Sequence, residues 1–479
     1  MSEIRLYNTL GNRLEPLDPV HPGEVRIYTC GPTVYASAHI GNFRTFVFQD
    51  ILRRFLKSQG YRVLQVMNVT DVDDRIIHAA AAAGSSIREY TEKYIQAFLE
   101  DIDALSIETP EEVVRATDHI EDMVALIERL QQKGLTYTSD GSIYFRISKF
   151  PEYGKLSRID MAGIQAGARV DVDQYDKENA RDFALWKAPK PGEQFWETRI
   201  GPGRPGWHIE CSAMSMKYLG DTLDIHTGGI DLAFPHHENE IAQSEAATGK
   251  PFVRMWLHAE HLIIEGQKMS KSLGNFYTLR DLFAKGHKPS TIRFLLLSVP
   301  YRRQLNFTED GLTQARHSVE RLRNFAVRLK AEQFSPGSNP EVRTRIEAAE
   351  KDFDLGLAND LNTAVALAAV FDLVRDANTA MDAGRFLQQD APRALAAMEK
   401  FDAVLGSLAD KDDETLAKLG FFKQNQRMPA AEIETLVEER NVAKKTRNFK
   451  RADEIRQRLA DSGILLEDTK DGIVRWKYK

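Results

Sequence analysis

Val25-Arg-Ile-Tyr-Thr-Cys-Gly-Pro32, followed by His39-Ile-Gly-Asn42, decides the fold of this chain. The first run is rich in β-branched and aromatic residues and ends in a Gly-Pro turn, so it reads as a strand entering a loop. From Asn42 to Gln59, Phe43, Phe46, Val47, Ile51, Phe55 and Leu56 recur at helical spacing. Tyr61-Arg-Val-Leu-Gln-Val-Met67 reads as a second strand. Strand, helix and strand make one βαβ unit, which implies a parallel sheet with a right-handed crossover. Ligands of such sheets bind beyond the carboxyl ends of the strands. Cys30, His39 and the loop Asn68-Val-Thr-Asp-Val-Asp-Asp74 all fall at that end.

The rest of the 479 residues is too much for one core and implies several structural units. The reading is an α/β chain: a Rossmann-type parallel-sheet domain with an insertion, then an α-helical bundle and a small C-terminal domain. The sheet domain takes residues 1–118 and 205–265, and the inserted connective domain takes 119–204. That insertion has helical stretches and then a polar Gly/Pro region (Pro189-Lys-Pro-Gly, Gly201-Pro-Gly-Arg-Pro-Gly206). A linking segment covers 266–312, and a helical bundle 313–410, where Val319, Leu322, Phe325 and Leu329 mark an amphipathic helix. Asp410-Lys-Asp-Asp-Glu414 reads as a charged linker. The C-terminal domain, 428–479, reads as a helical hairpin with a short apolar tail ending in Trp476-Lys-Tyr-Lys479.

Composition is ordinarily globular, with 42% hydrophobic and 28% charged residues. No apolar run approaches the roughly 18 residues of a membrane span. The first residues lack the apolar core of a signal peptide, so a cytoplasmic protein is expected. Net charge is −6, so any nucleic-acid contact must come from local basic patches.

The two cysteines, Cys30 and Cys211, each sit in a polar motif, the second in Gly206-Trp-His-Ile-Glu-Cys211. In a reducing compartment such a pair more often binds metal than crosslinks. Phe234-Pro-His-His-Glu-Asn-Glu240 supplies further donors. His236 and Glu240 at i, i+4 share one helix face. With the two thiolates they complete a tetrahedral zinc set. Spacing alone leaves other pairs open, His237 with Glu240 and His208 with Cys211.

His39-Ile-Gly-Asn42 opens a helix just after a strand, where free N–H groups and the positive dipole end attract phosphate. Gly41 lets a nucleotide approach the backbone. Lys268-Met-Ser-Lys-Ser272, between Gly266 and Gly274, puts two ammoniums on a loop suited to clamping a triphosphate.

This pair of motifs, about 230 residues apart, resembles the class I aminoacyl-tRNA synthetases. Tyr28-Thr-Cys-Gly-Pro-Thr-Val-Tyr35, Asn68-Val-Thr-Asp-Val-Asp-Asp74, Arg204-Pro-Gly-Trp-His-Ile-Glu-Cys-Ser-Ala-Met214 and Phe234-Pro-His-His-Glu-Asn-Glu240 are similar to the cysteinyl branch of that family. The resemblance covers nearly the whole chain. It implies one Zn²⁺ on Cys30, Cys211, His236 and Glu240, and a cysteine pocket of Thr70, Trp207, His208 and Asp231. It implies ATP, with Mg²⁺, on Gly31, Thr33, His39, Gly41, Asn42, Lys268 and Lys271. Of these His39, Asn42, Lys268 and Lys271 are the candidate catalytic residues. One departure is Thr227, where the family has a third glycine. Serine and alanine nearly match cysteine in shape, so packing discriminates poorly. A soft zinc prefers thiolate to hydroxyl, which gives the substrate choice a chemical basis.

The implied partners are L-cysteine, ATP and tRNA-Cys, and the implied state is a monomer. The C-terminal part is implied to read the anticodon. Arg440, Lys444, Lys445, Arg447, Lys450 and Arg451 form its basic patch, with Trp476 as a base-stacking or core-capping residue. Tyr301-Arg-Arg-Gln-Leu-Asn306 is a further candidate for RNA contact. Two rivals share parts of this reading: a ligase joining cysteine to an amino-sugar, and a non-catalytic tRNA-binding paralogue. The long basic C-terminal region speaks against the first, and intact His39, Lys268, Lys271 and metal donors against the second.

Overall fold

The computed structural model describes residues 3–158, 182–270, 273–421, 430–446, 448–461, 464–468 and 474–478. Five strands form a central sheet in the order Val253–Ala259, Leu223–Gly229, Glu24–Thr29, Arg62–Val69, Glu112–Arg115. Every neighbouring pair is parallel. The sequence order reverses between Glu24–Thr29 and Leu223–Gly229, so the sheet has a switch point there, and a crevice opens beyond it. Val66, Met67, Asn68 and Val69 are consecutive and all buried, as expected of a strand covered on both faces.

The crossover helix Ile40–Ser58 buries Phe43, Phe46, Val47, Ile51, Phe55 and Leu56, the six positions its spacing marks. It also buries Arg44. That guanidinium donates to the carbonyls of Leu296, Val299 and Pro300, tying the helix to the C-terminal end of helix Pro289–Leu297 and the chain after it. Burial pulls the Arg44 pKa down to about 10, and carbonyl dipoles are what hold its charge.

Between Glu112–Arg115 and Leu223–Gly229 the chain builds helix Ile120–Gln132 and an antiparallel sheet of Thr136–Ser139, Ser142–Phe145, Phe183–Lys187 and Arg204–Pro205. The sequence reading had no sheet here. Its strands are two to five residues long, too short for alternation to register.

After the central sheet, Leu262–Ile264 pairs antiparallel with Gln267–Lys268 and parallel with Leu305–Phe307. Four long helices follow, Glu309–Ala331, Pro340–Ala358, Thr363–Asp382 and Asp390–Leu405. Val319, Leu322, Phe325 and Leu329 are buried on the first. The stretch read as a charged linker is a correction. Asp412 starts a helix, Asp412–Lys418, and is buried. It accepts from the Ser290 amide at 2.8 Å and hydroxyl at 2.7 Å and pairs with Arg323 at 2.8 Å.

The chain divides into two compact units, 1–412 and 413–479. In the second, helices Ala430–Lys445 and Phe449–Asp461 enclose Ile433, Leu436, Val437, Ile455 and Leu459. The expected apolar tail is instead an antiparallel hairpin, Ile464–Asp468 with Val474–Tyr478. Among the described residues no helix is long and apolar enough to cross a membrane.

Candidate active site

A cavity of about 1830 Å³ opens at the carboxyl ends of the central strands. Cys30–Thr33 line it after the first strand, Asn68 and Thr70 after the second, and Gly229–Asp231 after the fourth. Gly31 is required by crowding: a Cβ there would come within 1.8 Å of the Asn68 carbonyl oxygen. The Gly31 amide donates to Asn68 Oδ1 at 2.9 Å, and Asn68 Nδ2 donates to Thr70 Oγ1 at 3.1 Å.

Single donor atoms of Cys30, Cys211, His236 and Glu240 all lie within 4.8 Å of one another, the first three residues lining the cavity. All four residues are buried. The two Sγ atoms are 3.9 Å apart and both cysteines are free thiols. His236 Nε2 lies 3.1 Å from Glu240 Oε1, as the i, i+4 spacing predicts. The turn Ala233–His237 delivers His236, and helix Glu238–Thr248 carries Glu240. A second set, Cys30, His226, His237 and Glu240, is equally compact. The two sets share Cys30 and Glu240, so one ion cannot satisfy both. Cys30, Cys211 and His236 line the cavity, whereas His226 and His237 do not.

Burial sets the protonation here. It pushes His236 down to about 3, so its imidazole is neutral and can act as a ligand. It pushes Glu240 up to about 8 and raises both thiols. Glu240 Oε1 makes no hydrogen bond despite its burial. Two thiols, an imidazole and a carboxyl desolvated together strongly disfavour their charged forms, and a divalent cation reverses that preference. The donor chemistry, two sulfurs with one nitrogen and one oxygen, suits zinc.

A polar chain that sequence spacing does not reveal runs from Cys30 through His237 and His258 to Thr9. Cys30 Sγ lies 3.4 Å from His237 Nε2, His237 Nδ1 2.8 Å from His258 Nε2, and His258 Nδ1 2.8 Å from Thr9 Oγ1. His226 Nε2 lies 3.0 Å from Glu240 Oε2 and its ring stacks on Trp256. Thr227, the departure from the family pattern, is buried and accepts from Gln49 at 3.0 Å, so its hydroxyl is accommodated.

Of the four expected pocket residues, Thr70, Trp207 and Asp231 line the cavity. His208 does not. It is buried behind His236, with the two Nδ1 atoms 3.0 Å apart, because helix Trp207–Leu219 turns it toward the metal donors. Glu210 and Glu238 were not anticipated. Glu210 is buried and accepts from Thr70 Oγ1 at 2.8 Å. Glu238 is buried and accepts from the amides of Gly154, Leu156 and Ser157 at 2.8, 3.1 and 2.8 Å. A usable signal was present: each lies within two residues of a candidate donor, in a run too polar for an ordinary buried helix.

At the other end of the cavity, His39 N-caps helix Ile40–Ser58, and the His39 amide donates to Asn42 Oδ1 at 3.0 Å. The Ile40 amide donates to the Tyr277 carbonyl at 2.9 Å, and His39 bridges Thr278, so the first motif pairs through its backbone with the chain that follows the Lys268 loop. A Cβ on Gly41 would stand 3.2 Å from Met269 Cε. Lys268 is exposed and lines the cavity with His39, Gly41, Asn42, Gly31 and Thr33. Asn275 accepts from the Ser270 amide at 2.8 Å and donates to the Lys268 carbonyl at 3.2 Å, shaping the loop. Lys271 lies outside the described residues.

The expected RNA contacts separate. Lys444, Lys445, Lys450 and Arg451 are exposed, and Arg451 pairs with Glu439 at 2.7 Å. Arg440 is buried, which places it in the packing of its own unit instead of on the surface. Trp476 is half-buried against the small C-terminal core. Arg447 lies outside the described residues. Tyr301 is buried and donates to Asp360 at 2.7 Å, and Arg302 pairs with Asp360 and covers the Tyr7 ring at 3.7 Å. Tyr301 serves an internal contact, whereas Arg302, Arg303, Gln304 and Asn306 of this segment are exposed.

Residues 16–317 match the family model of the tRNA synthetases class I (C) catalytic domain, and 352–409 match the DALR domain. In structure the chain is similar to methionyl-tRNA synthetase of Mycobacterium tuberculosis, TM-score 0.62 at 17% identity over 85% of this chain and 96% of that one. This likeness concerns the fold alone, and the family match makes the class plain: a class I tRNA synthetase. At the level of sequence the chain is 56% identical to a cysteine–tRNA ligase of Koribacter versatilis, covering 99% of this chain and 100% of that protein. It is 57% identical to one of Solibacter usitatus, covering 99% and 100%, and 47% identical to one of Leptospira interrogans, covering 100% of both. The chain belongs to the cysteine–tRNA ligase family.

Proposed function

We propose that this enzyme attaches L-cysteine to tRNA-Cys in two steps at the cavity between the buried donors and the His39 end, through a cysteinyl-adenylate. The observation that carries the reading is the convergence of two thiols, an imidazole and a carboxyl, with Cys30, Cys211 and His236 lining the same cavity as His39, Asn42 and Lys268. Cys30, Cys211, His236 and Glu240 hold one zinc ion, the set open to the cavity. When bound, zinc supplies a soft Lewis acid that favours a thiolate over the hydroxyl of serine.

The residues of the chain do the rest. Thr70, Trp207 and Asp231 bind and orient the amino acid. Gly31, Thr33, Gly41 and the N-terminus of helix Ile40–Ser58 receive ATP, whose phosphates Mg²⁺ accompanies. The cysteine carboxylate attacks the α-phosphorus in line and pyrophosphate leaves. His39, Asn42, Lys268 and Lys271 stabilise the charge that develops, so positioning and electrostatics carry the rate. The tRNA 3′-terminal hydroxyl then attacks the activated carboxyl and AMP leaves. The C-terminal unit, through exposed Lys444, Lys445, Lys450 and Arg451, contacts the RNA. The enzyme acts as a cytoplasmic monomer.

Charging of an unfractionated tRNA pool with labelled cysteine, in ATP and zinc, tests this. Cysteine bound to tRNA supports it. Brisk cysteine-dependent ATP–pyrophosphate exchange without charging would move the acceptor to a small amine such as an amino-sugar.

A further inference from the structure

We propose that Tyr35, Arg75 and Tyr94 form a stacking ledge at the cavity wall that receives the unpaired bases at the 3′ end of the tRNA. The proposal rests on the reading above, in which a 3′-hydroxyl must enter this cavity. The cavity, about 1830 Å³, includes these three side chains in its wall.

The Tyr35 ring is exposed for a large aromatic residue, at 37%. The Arg75 guanidinium sits over the Tyr35 ring, 4.3 Å from its centroid. Tyr90 fixes the backbone beneath by donating to the Tyr35 carbonyl at 3.1 Å. Tyr90 and Tyr94 stand 5.4 Å apart, and the Lys93 ammonium lies 4.8 and 4.9 Å from their centroids. Aromatic rings interleaved with guanidinium and ammonium groups are the arrangement that binds single-stranded nucleic acid: rings stack on bases, and cations meet phosphates. Asp73 pairs with Arg75 at 2.9 Å, which orients the guanidinium. Of the two rings on the cavity wall, Tyr35 is exposed and Tyr94 is half-buried, packed against the core while lining the cavity. Here three elements present them to the same space: the loop after the first strand, helix Asp74–Ala82 and helix Ile87–Ala104.

The test compares full-length tRNA-Cys with the same RNA lacking its single-stranded 3′ end, using wild type, Tyr35→Ala, Arg75→Ala and Tyr94→Ala. Wild type should bind the full RNA about tenfold more tightly than the shortened one. Each variant should lose most of that difference and bind the shortened RNA like wild type. Transfer of cysteine to full-length tRNA should fall about tenfold in kcat/KM, while cysteine-dependent ATP–pyrophosphate exchange changes less than twofold. Tyr35→Trp should restore transfer, since stacking area is what matters. Variants that keep the full preference for the intact 3′ end, or that lose exchange and transfer equally, would overturn the ledge while wild-type charging upholds the synthetase reading. Failure of wild type to charge any tRNA would overturn both.

Discussion

Thr70 Oγ1 donates a 2.8 Å hydrogen bond to Oε2 of Glu210, a side chain with no solvent exposure. A threonine hydroxyl has one proton and two lone pairs. The proton goes to Glu210, and one lone pair accepts from Asn68 Nδ2 at 3.1 Å. What remains for the cavity is an acceptor, which suits an ammonium group such as the amino end of a free amino acid. Glu210 thereby sets the polarity of Thr70 without reaching the cavity itself.

Replacing Glu210 by leucine removes the acceptor of that proton while the Asn68 bond remains, a loss of about 1–3 kcal/mol. KM for cysteine in ATP–pyrophosphate exchange should rise about tenfold while kcat changes little. Glu210→Gln keeps a carbonyl acceptor in place and should stay within about threefold of wild type. Equal damage from both substitutions would show that shape, not the acceptor, is what Glu210 provides.

The two compact donor sets make different claims about zinc. If the ion sits on Cys30, Cys211, His236 and Glu240, His236→Gln removes a ligand and stoichiometric zinc should be lost on gel filtration. His226→Gln then removes only a group that orients Glu240, 3.0 Å away, and should weaken zinc about 10–100-fold while leaving it bound at micromolar metal. Metal analysis of the two purified variants decides. Retention in His236→Gln with loss in His226→Gln would move the ion to the deeper set.

Much of this site was legible because its chemistry is local in sequence. The strand, turn and helix around Cys30 and His39 carry their own periodicity, and the i, i+4 spacing of His236 and Glu240 survives folding. Burial of charge was not legible. Asp412 sits in a run of five charged residues, and only Ser290 and Arg323, about 90 to 120 positions away, make its burial tolerable. Arg440 was hidden for the same reason, since a basic run reads as surface until its packing is known. The C-terminal strand was a missed signal, because Val474-Arg-Trp-Lys-Tyr478 alternates at period two.

Glu238 organises the wall of the cavity. Its carboxylate takes three consecutive-loop amides, from Gly154, Leu156 and Ser157, and Leu156 and Ser157 line the cavity. Glu238→Gln turns one acceptor into a donor facing those amides. Hydrogen bonds to charged groups contribute about 1.5–3 kcal/mol each, so a loss of about 2–4 kcal/mol of local stability is expected. Hydrogen exchange at 154–157 should accelerate at least thirtyfold with zinc content unchanged. Unaltered protection there would mean that packing, not the carboxylate, holds the loop.

Asp101 gives a pH signature of its own. It lies on helix Ile87–Ala104, only 3% exposed, and pairs with Arg280 at 2.6 Å, so it fastens that helix to Leu279–Ala284, the helix after the Lys268 loop. Burial pushes its pKa up to about 6, outweighing the pull of Arg280, and Glu100 adds to the rise. The folded value therefore exceeds the ordinary 3.8 of an aspartate. Between pH 4 and 6 the folded chain keeps a proton that the unfolded chain has released. The contribution to stability is complete below about pH 4, falls as pH rises through this window, and is gone above about pH 6. Roughly two pH units correspond to about 3 kcal/mol. Asp101→Asn cannot ionise. The unfolding free energy of the variant relative to wild type should therefore rise by about 3 kcal/mol from pH 4 to pH 6.5 in denaturant titrations. A difference that stays flat over that range would place the Asp101 pKa at its ordinary value and make the Arg280 pair the stronger influence.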